Sequence, residues 1–139
     1  MPAKSSFDYA MIRVVPRPER EEFLNAGVVL FCVARDYLKA RTVPDQRRLA
    51  NLWPEVDVSM VADHLAAFSS ICDGAPDAGP IAKLTRRERF HWLVAPRSTV
   101  IQVSPVHSGL CGDPELALEE LFQRYVLVGQ PARLGSVPK

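Results

Sequence analysis

The densest chemistry in this sequence lies in Ser104-Pro105-Val106-His107-Ser108-Gly109-Leu110-Cys111-Gly112-Asp113, which holds a thiol, an imidazole and a carboxylate in one short stretch. These are the parts of a cysteine nucleophile with a base and an orienting acid. Their setting argues against that use. Asp113 stands before Pro114, where it is better explained as a helix N-cap. A loop bounded by Pro and Gly does not aim His107 at Cys111, and no known local signature surrounds the cysteine. A small hydrolase or transferase built on this loop is the least supported function. His107 reads instead as a binding-loop residue.

A second cluster is cationic. Thr85-Arg86-Arg87-Glu88 has the capping-box pattern, so Arg86 and Arg87 fall in the first turn of a helix. Free backbone N–H groups at that turn, with Arg89 close by and Arg97 returning beyond Pro96, describe a site for a phosphate or a carboxylate. The plainer account is a solvated basic turn partly neutralised by Glu88. A third cluster combines Arg13, inside an apolar stretch, with Glu22 and Asn25 just after the charged run Arg17 to Glu22. A guanidinium on an apolar face needs a carboxylate, an open edge or a ligand. Glu22 and Asn25 are candidates for a polar binding site with Arg13; the favoured account is structural, with Glu22 neutralising Arg13 while Asn25 and Gly27 shape the return of the chain.

Other chemistries find little support. The three histidines and three cysteines form no C-x-x-C and no H-x-x-x-H pair. Neither a phosphate loop nor a dinucleotide fingerprint is present. No metal or cofactor is expected. Trp92 shares a side with Arg89 and reads as core.

The elements that must position these groups follow from periodicity. Phe7 to Val15 reads as a central strand, with Ala10, Ile12 and Val14 on one face and Tyr9, Met11, Arg13 and Val15 on the other. Pro18 opens a single helical turn. Val28 to Ala34 is an apolar strand, and Tyr37 to Val43 is its hairpin partner, with Lys39 and Arg41 on a wet face. Asp57 caps a helix that buries Val61, Leu65, Phe68 and Cys72. A second helix runs from Thr85 to Pro96, Thr99 to Val103 is a short strand, and a last helix begins at Asp113-Pro114. The expected fold is a single α+β domain over residues 1–139, with an antiparallel or mixed sheet of about four strands and two or three packed helices. Its ordered core should span about 7–128, and the tail 130–139 should be flexible.

At 139 residues the chain can bury one core without staples. A net charge of +1 supplies no overall field for nucleic acid or an anionic membrane. Nothing approaches the ~20 apolar residues of a membrane span. Dispersed cysteines in apolar settings fit a reducing compartment, so a cytoplasmic protein is expected.

The order of features resembles a bacterial domain-of-unknown-function family, number 3037. The residues that carry the likeness are Tyr9 to Pro16, Glu19-Arg20-Glu21-Glu22-Phe23, Asn25 and Gly27 to Phe31, then Arg89 to Leu93, Pro96-Arg97-Ser98-Thr99, Gln102, and Ser104 to His107 with Gly109. The family offers no catalytic residues. The resemblance implies a partner, because such proteins are often encoded beside HipA-like serine/threonine kinases. The leading expectation is a noncatalytic interaction module for such a kinase, drawing on Arg13, Arg86, Arg89, Arg97 and His107. The alternative is a module that binds a nucleotide, nucleic acid or other phosphate-bearing ligand through converging arginines. A monomer is sufficient for the core, and an open sheet edge would also permit a homodimer.

Overall fold

Ten residues of extended chain organise the molecule: β1 (Ser5–Val14) has strand neighbours on both sides, from Asp8 onward on one and at its two ends on the other. The computed structural model describes residues 3–97 and 99–127, so the expected flexibility of the tail 130–139 concerns residues outside those described. On one side β1 meets β2 (Leu24–Cys32), which in turn pairs with β3 (Tyr37–Thr42). On the other side two short strands share it. β4 (Ile101–Val103) pairs with Ile12 to Val14, and β5 (His107–Cys111) pairs with Ser5 to Tyr9. All pairings are antiparallel, giving a five-stranded sheet of order β3-β2-β1 with β4 and β5 end to end along the far side. Ser104 closes the gap between them: its N–H donates to Met11 O and its Oγ accepts from Met11 N, both at 2.9 Å.

The helices are α1 (Gln46–Leu52), α2 (Val58–Asp73), α3 (Arg86–Val94) and α4 (Pro114–Tyr125). The first three cover one face of the sheet, packing Leu49, Val61, Leu65, Phe68, Phe90 and Leu93 on Ala10, Ile12, Val14, Val29 and Phe31. α4 covers the other, with Leu118 and Phe122 against Phe7, Met11, Val28, Leu30 and Cys32. Period-two burial on both faces is what a central strand with apolar residues in both registers requires. Local caps fix the helix starts. Asp45, Asp57 and Asp113 each accept a backbone N–H in the first turn, and Thr85 with Glu88 forms a full capping box.

Three expectations change. Ser104 to Gly112 is not all loop, because β5 occupies half of it; and α1, where no helix is expected, adds a fourth helix. The charged run after β1 forms only a 3-10 turn, Pro18–Arg20, so β2 begins earlier than expected, at Leu24. That early start carries a β-bulge. Ile12 faces Gly27 but Arg13 faces Asn25, leaving Ala26 as the extra residue, its carbonyl accepting from Val43 N at 2.8 Å.

Candidate functional site

The arginines of α3 do not converge. Arg86 extends from the first turn toward Asp36, at 4.0 Å, and Arg87 lies over the Phe31 ring at 5.9 Å. Arg89 goes inward. It is 8% exposed and donates to the carbonyl oxygens of Leu84 (3.0 Å), Ile71 (2.8 Å) and Cys72 (2.6 Å). The last two belong to the C-terminal turn of α2, whose carbonyls lack intrahelical partners and form the negative end of its dipole. Arg89 is therefore a cap for a neighbouring helix and is withdrawn from any contact surface, which corrects the expected role. Arg97 stands apart beyond the end of α3. It stacks on Trp92 at 4.8 Å and donates to the Trp92 carbonyl at 2.5 Å. The one-cavity arrangement that a phosphate site needs is not built by these four residues.

Trp92 is also not core. It is 41% exposed and walls an open groove of about 520 Å³ between α2, the end of α3 and β4. His64, Ala67, Phe68 and Ile71 line it from α2, with Ala95, Thr99 and Ile101 opposite and Arg97 at its border. The lining is mostly apolar, with His64 and Thr99 as its neutral polar members and the Arg97 guanidinium, whose pKa is lowered by burial, as its one fixed charge. Among the described residues no carboxylate lies within ion-pair distance of Arg97. The sequence signal for this groove was available in Trp92 and Arg97, which flank Pro96; the helix stop at Pro96 turns the chain so that the second can lie on the first.

On the opposite face, the third cluster is rearranged. Glu22 pairs with Arg20 through two hydrogen bonds, at 2.8 and 3.1 Å, and Arg17 pairs with Glu19 at 3.0 Å. The Arg20 guanidinium holds the Glu22 carboxyl below its ordinary value. The expected neutralisation of Arg13 by Glu22 is thus absent, for the local reason that Arg20 is two residues away. Arg13 stacks instead on Phe23, at 4.1 Å, and its Nε is buried with no hydrogen-bond partner. Asn25 donates to Tyr125 O at 3.3 Å, while its buried Oδ1 has no donor.

The model of a family described as "Protein of unknown function (DUF3037)" matches residues 9–126, nearly the whole described chain. The chain belongs to this family. No curated protein and no solved structure matches it. Family membership brings no activity with it, so function has to be argued from the arrangement of side chains.

The thiol-and-imidazole segment offers this DUF3037 member no nucleophile. His107 and Cys111 begin and end β5, about 13 Å apart at the rise of a strand. His107 is exposed and lies beside Tyr9, ring to ring at 5.5 Å. Cys111 is buried, and loss of solvation followed by the neighbouring Cys32 thiol pushes its pKa up, away from the thiolate. Asp113 is occupied in capping α4, accepting from Glu115 N at 3.0 Å. No group of three or more His, Cys, Asp or Glu among the described residues could hold a metal ion. Among those residues no helix is long and apolar enough to cross a membrane.

Proposed function

We propose that this chain is a noncatalytic docking module whose α2–α3–β4 groove receives an apolar segment of a protein partner, with a carboxylate of that segment meeting Arg97. The observation that carries the reading is Trp92, left half exposed over an apolar groove and capped by an arginine with no acid partner among the described residues. Trp and Arg dominate binding hot spots because they combine large area with directional donors. The groove's small and apolar lining residues would exclude water around such an anchor. The HipA-like kinase implied by the family's genomic neighbourhood is the first partner to test. Docking would regulate that kinase or present a substrate to it.

The test is calorimetric titration of the full chain against a purified HipA-like kinase encoded beside it, at low and high salt. Saturable binding that falls about tenfold or more with Trp92→Ala and with Arg97→Glu supports the module and the groove together. Binding untouched by either variant moves the interface elsewhere on the surface. No binding at any salt removes the kinase as partner.

A further inference from the structure

A second site lies on the other face of the sheet, where the bulge in β2 creates an unusual rung. Because Ala26 is the extra residue, Asn25 is turned onto the same face as Arg13, and Gln102 of β4 flanks Arg13 from the far side. Without the bulge Asn25 would face Val14 in the apolar core. Directly opposed side chains on one face stand with Cβ atoms about 5 Å apart. This rung therefore places a guanidinium beside a carboxamide, and each keeps one buried group unsatisfied. Arg13 Nε has a hydrogen to donate, and Asn25 Oδ1 has lone pairs to accept with. Unmade hydrogen bonds at buried polar atoms are costly and uncommon in native proteins.

Nothing nearby supplies the missing partners. Glu19 and Glu22 of the preceding turn are engaged with Arg17 and Arg20, and among the described residues no carboxylate, Glu21 included, lies within ion-pair distance of Arg13. Gln102 spends its amide on Thr99 O, at 2.9 Å. The Asn25 amide is spent on the end of α4, which leaves its oxygen for a donor from outside. A half-exposed aromatic, Phe23 at 46%, borders the rung, and the backbone of Tyr125 closes it on the Asn25 side. Phe23 lies on the guanidinium, at 4.1 Å, from the solvent-exposed side.

A ligand that completes the rung must present an anionic acceptor and an N–H donor a few bonds apart. A terminal α-carboxylate with the amide N–H of its own residue has that geometry. We propose that Arg13 and Asn25 bind an acylated amino-acid terminus. Its carboxylate accepts from the Arg13 guanidinium, its amide N–H donates to Asn25 Oδ1, and Phe23 flanks its side chain. A bidentate guanidinium–carboxylate contact is the strong form of such recognition. The same chemistry is carried by a free N-acyl amino acid and by the C-terminus of a peptide. The site is separate from the groove beside Trp92, on the opposite face, and stands or falls independently of it.

The experiment is a nitrogen-15 NMR titration of the full chain, reading the Arg13 Nε–H and Asn25 side-chain signals. Three probes are used: N-acetyl-leucine, an acetylated peptide ending in leucine, and the same peptide with its C-terminus amidated. Saturable shifts of both signals with either carboxylate probe, absent with the amidated peptide, are expected. Whichever probe binds more tightly names the source. Arg13→Gln should weaken the better probe by about tenfold or more, while Val33→Ala, at an exposed position outside both sites, leaves it unchanged. Equal shifts with the amidated peptide, no shift with any probe, or an Arg13 Nε–H already bonded within the unliganded protein overturns the proposal.

Discussion

The Arg89 guanidinium donates to the carbonyl oxygen of Cys72 at 2.6 Å, from one helix to the last turn of another. That bond and its companion to Ile71 close the end of α2, where Gly74 adopts the left-handed conformation at φ 65° and returns N–H bonds to Ile71 and Ser70. The charge on Arg89 is matched by dipoles rather than by a carboxylate, and its three acceptors are all backbone. Family resemblance drew attention to this residue as a surface contact. Its geometry makes it a structural one.

Replacing Arg89 with Met should therefore unfold the protein readily while leaving docking chemistry untouched in what remains folded. Hydrogen bonds from a charged donor to buried carbonyls, left unmade, cost about 2–4 kcal/mol in total. Urea denaturation reads this as a lower midpoint. Lys at the same position cannot reach all three acceptors from one planar fork and should recover only part of the loss. A loss below about 0.5 kcal/mol would place Arg89 among ordinary surface residues.

Cys72, on the same helix turn, makes stability sensitive to alkali. Burial, and to a lesser degree the Asp73 carboxylate, pushes its thiol from 9.0 up to about 12. The neutral thiol is favoured in the folded state, so the contribution is intact below pH 9.0 and is lost as pH rises toward about 12. In that window the unfolded chain has released a proton that the folded one keeps, which makes stability fall by up to roughly 1.4 kcal/mol per pH unit from this group. Cys72→Ala should remove that part of the slope, at the cost of lower stability at neutral pH. Denaturation midpoints of both proteins across pH 8 to 11 measure it, and parallel curves would refute the assignment.

The sequence made legible what is local. Asp57, Thr85 and Asp113 were readable as caps because each bond they make spans two or three residues, and the β2–β3 hairpin because its two runs are adjacent. β5 was not readable. His107-Ser108-Gly109-Leu110-Cys111 has no apolar alternation, and it becomes a strand only because β1, about a hundred residues earlier, offers it an edge. Helix α1 buries a single residue, Leu49, too little for a periodic signal. Arg89 was readable in hindsight: four residues before Leu93, it lies on the buried side of α3. The grouping of Arg13 with Asn25 was legible, but not the departure of Glu22 to Arg20 nor the bulge at Ala26 that turns Asn25 onto the Arg13 face.

The two close-packed glycines of the sheet should respond differently to Ala. A Cβ on Gly27, just past the bulge, would meet the Arg41 carbonyl oxygen at 2.7 Å, and neither strand can shift without breaking the ladder. On Gly109 it would meet the far end of the Phe7 ring at 2.8 Å, which can swing aside. Gly27→Ala should cost about 1–3 kcal/mol, and Gly109→Ala distinctly less. Thermal unfolding of the pair tests the order, and a reversed order would mean that β5 is held more rigidly than β3.

Trp92 supplies the last test, because a docking residue and a core residue answer truncation in opposite ways. Its stacking with Arg97 contributes about 0.5–1 kcal/mol at an exposed site. Trp92→Ala should thus lower stability by about 1 kcal/mol or less. The neighbouring Phe90 is 2% exposed and packs on Phe31 with ring centres 5.1 Å apart, so Phe90→Ala should cost about 3–5 kcal/mol. Urea midpoints of the two variants give the contrast directly. If Trp92→Ala proves as damaging as Phe90→Ala, the tryptophan holds the fold together and the groove loses its anchor. If the gap is as large as expected, a large aromatic has been kept half in water without a role in stability, which is what a surface reserved for a partner requires.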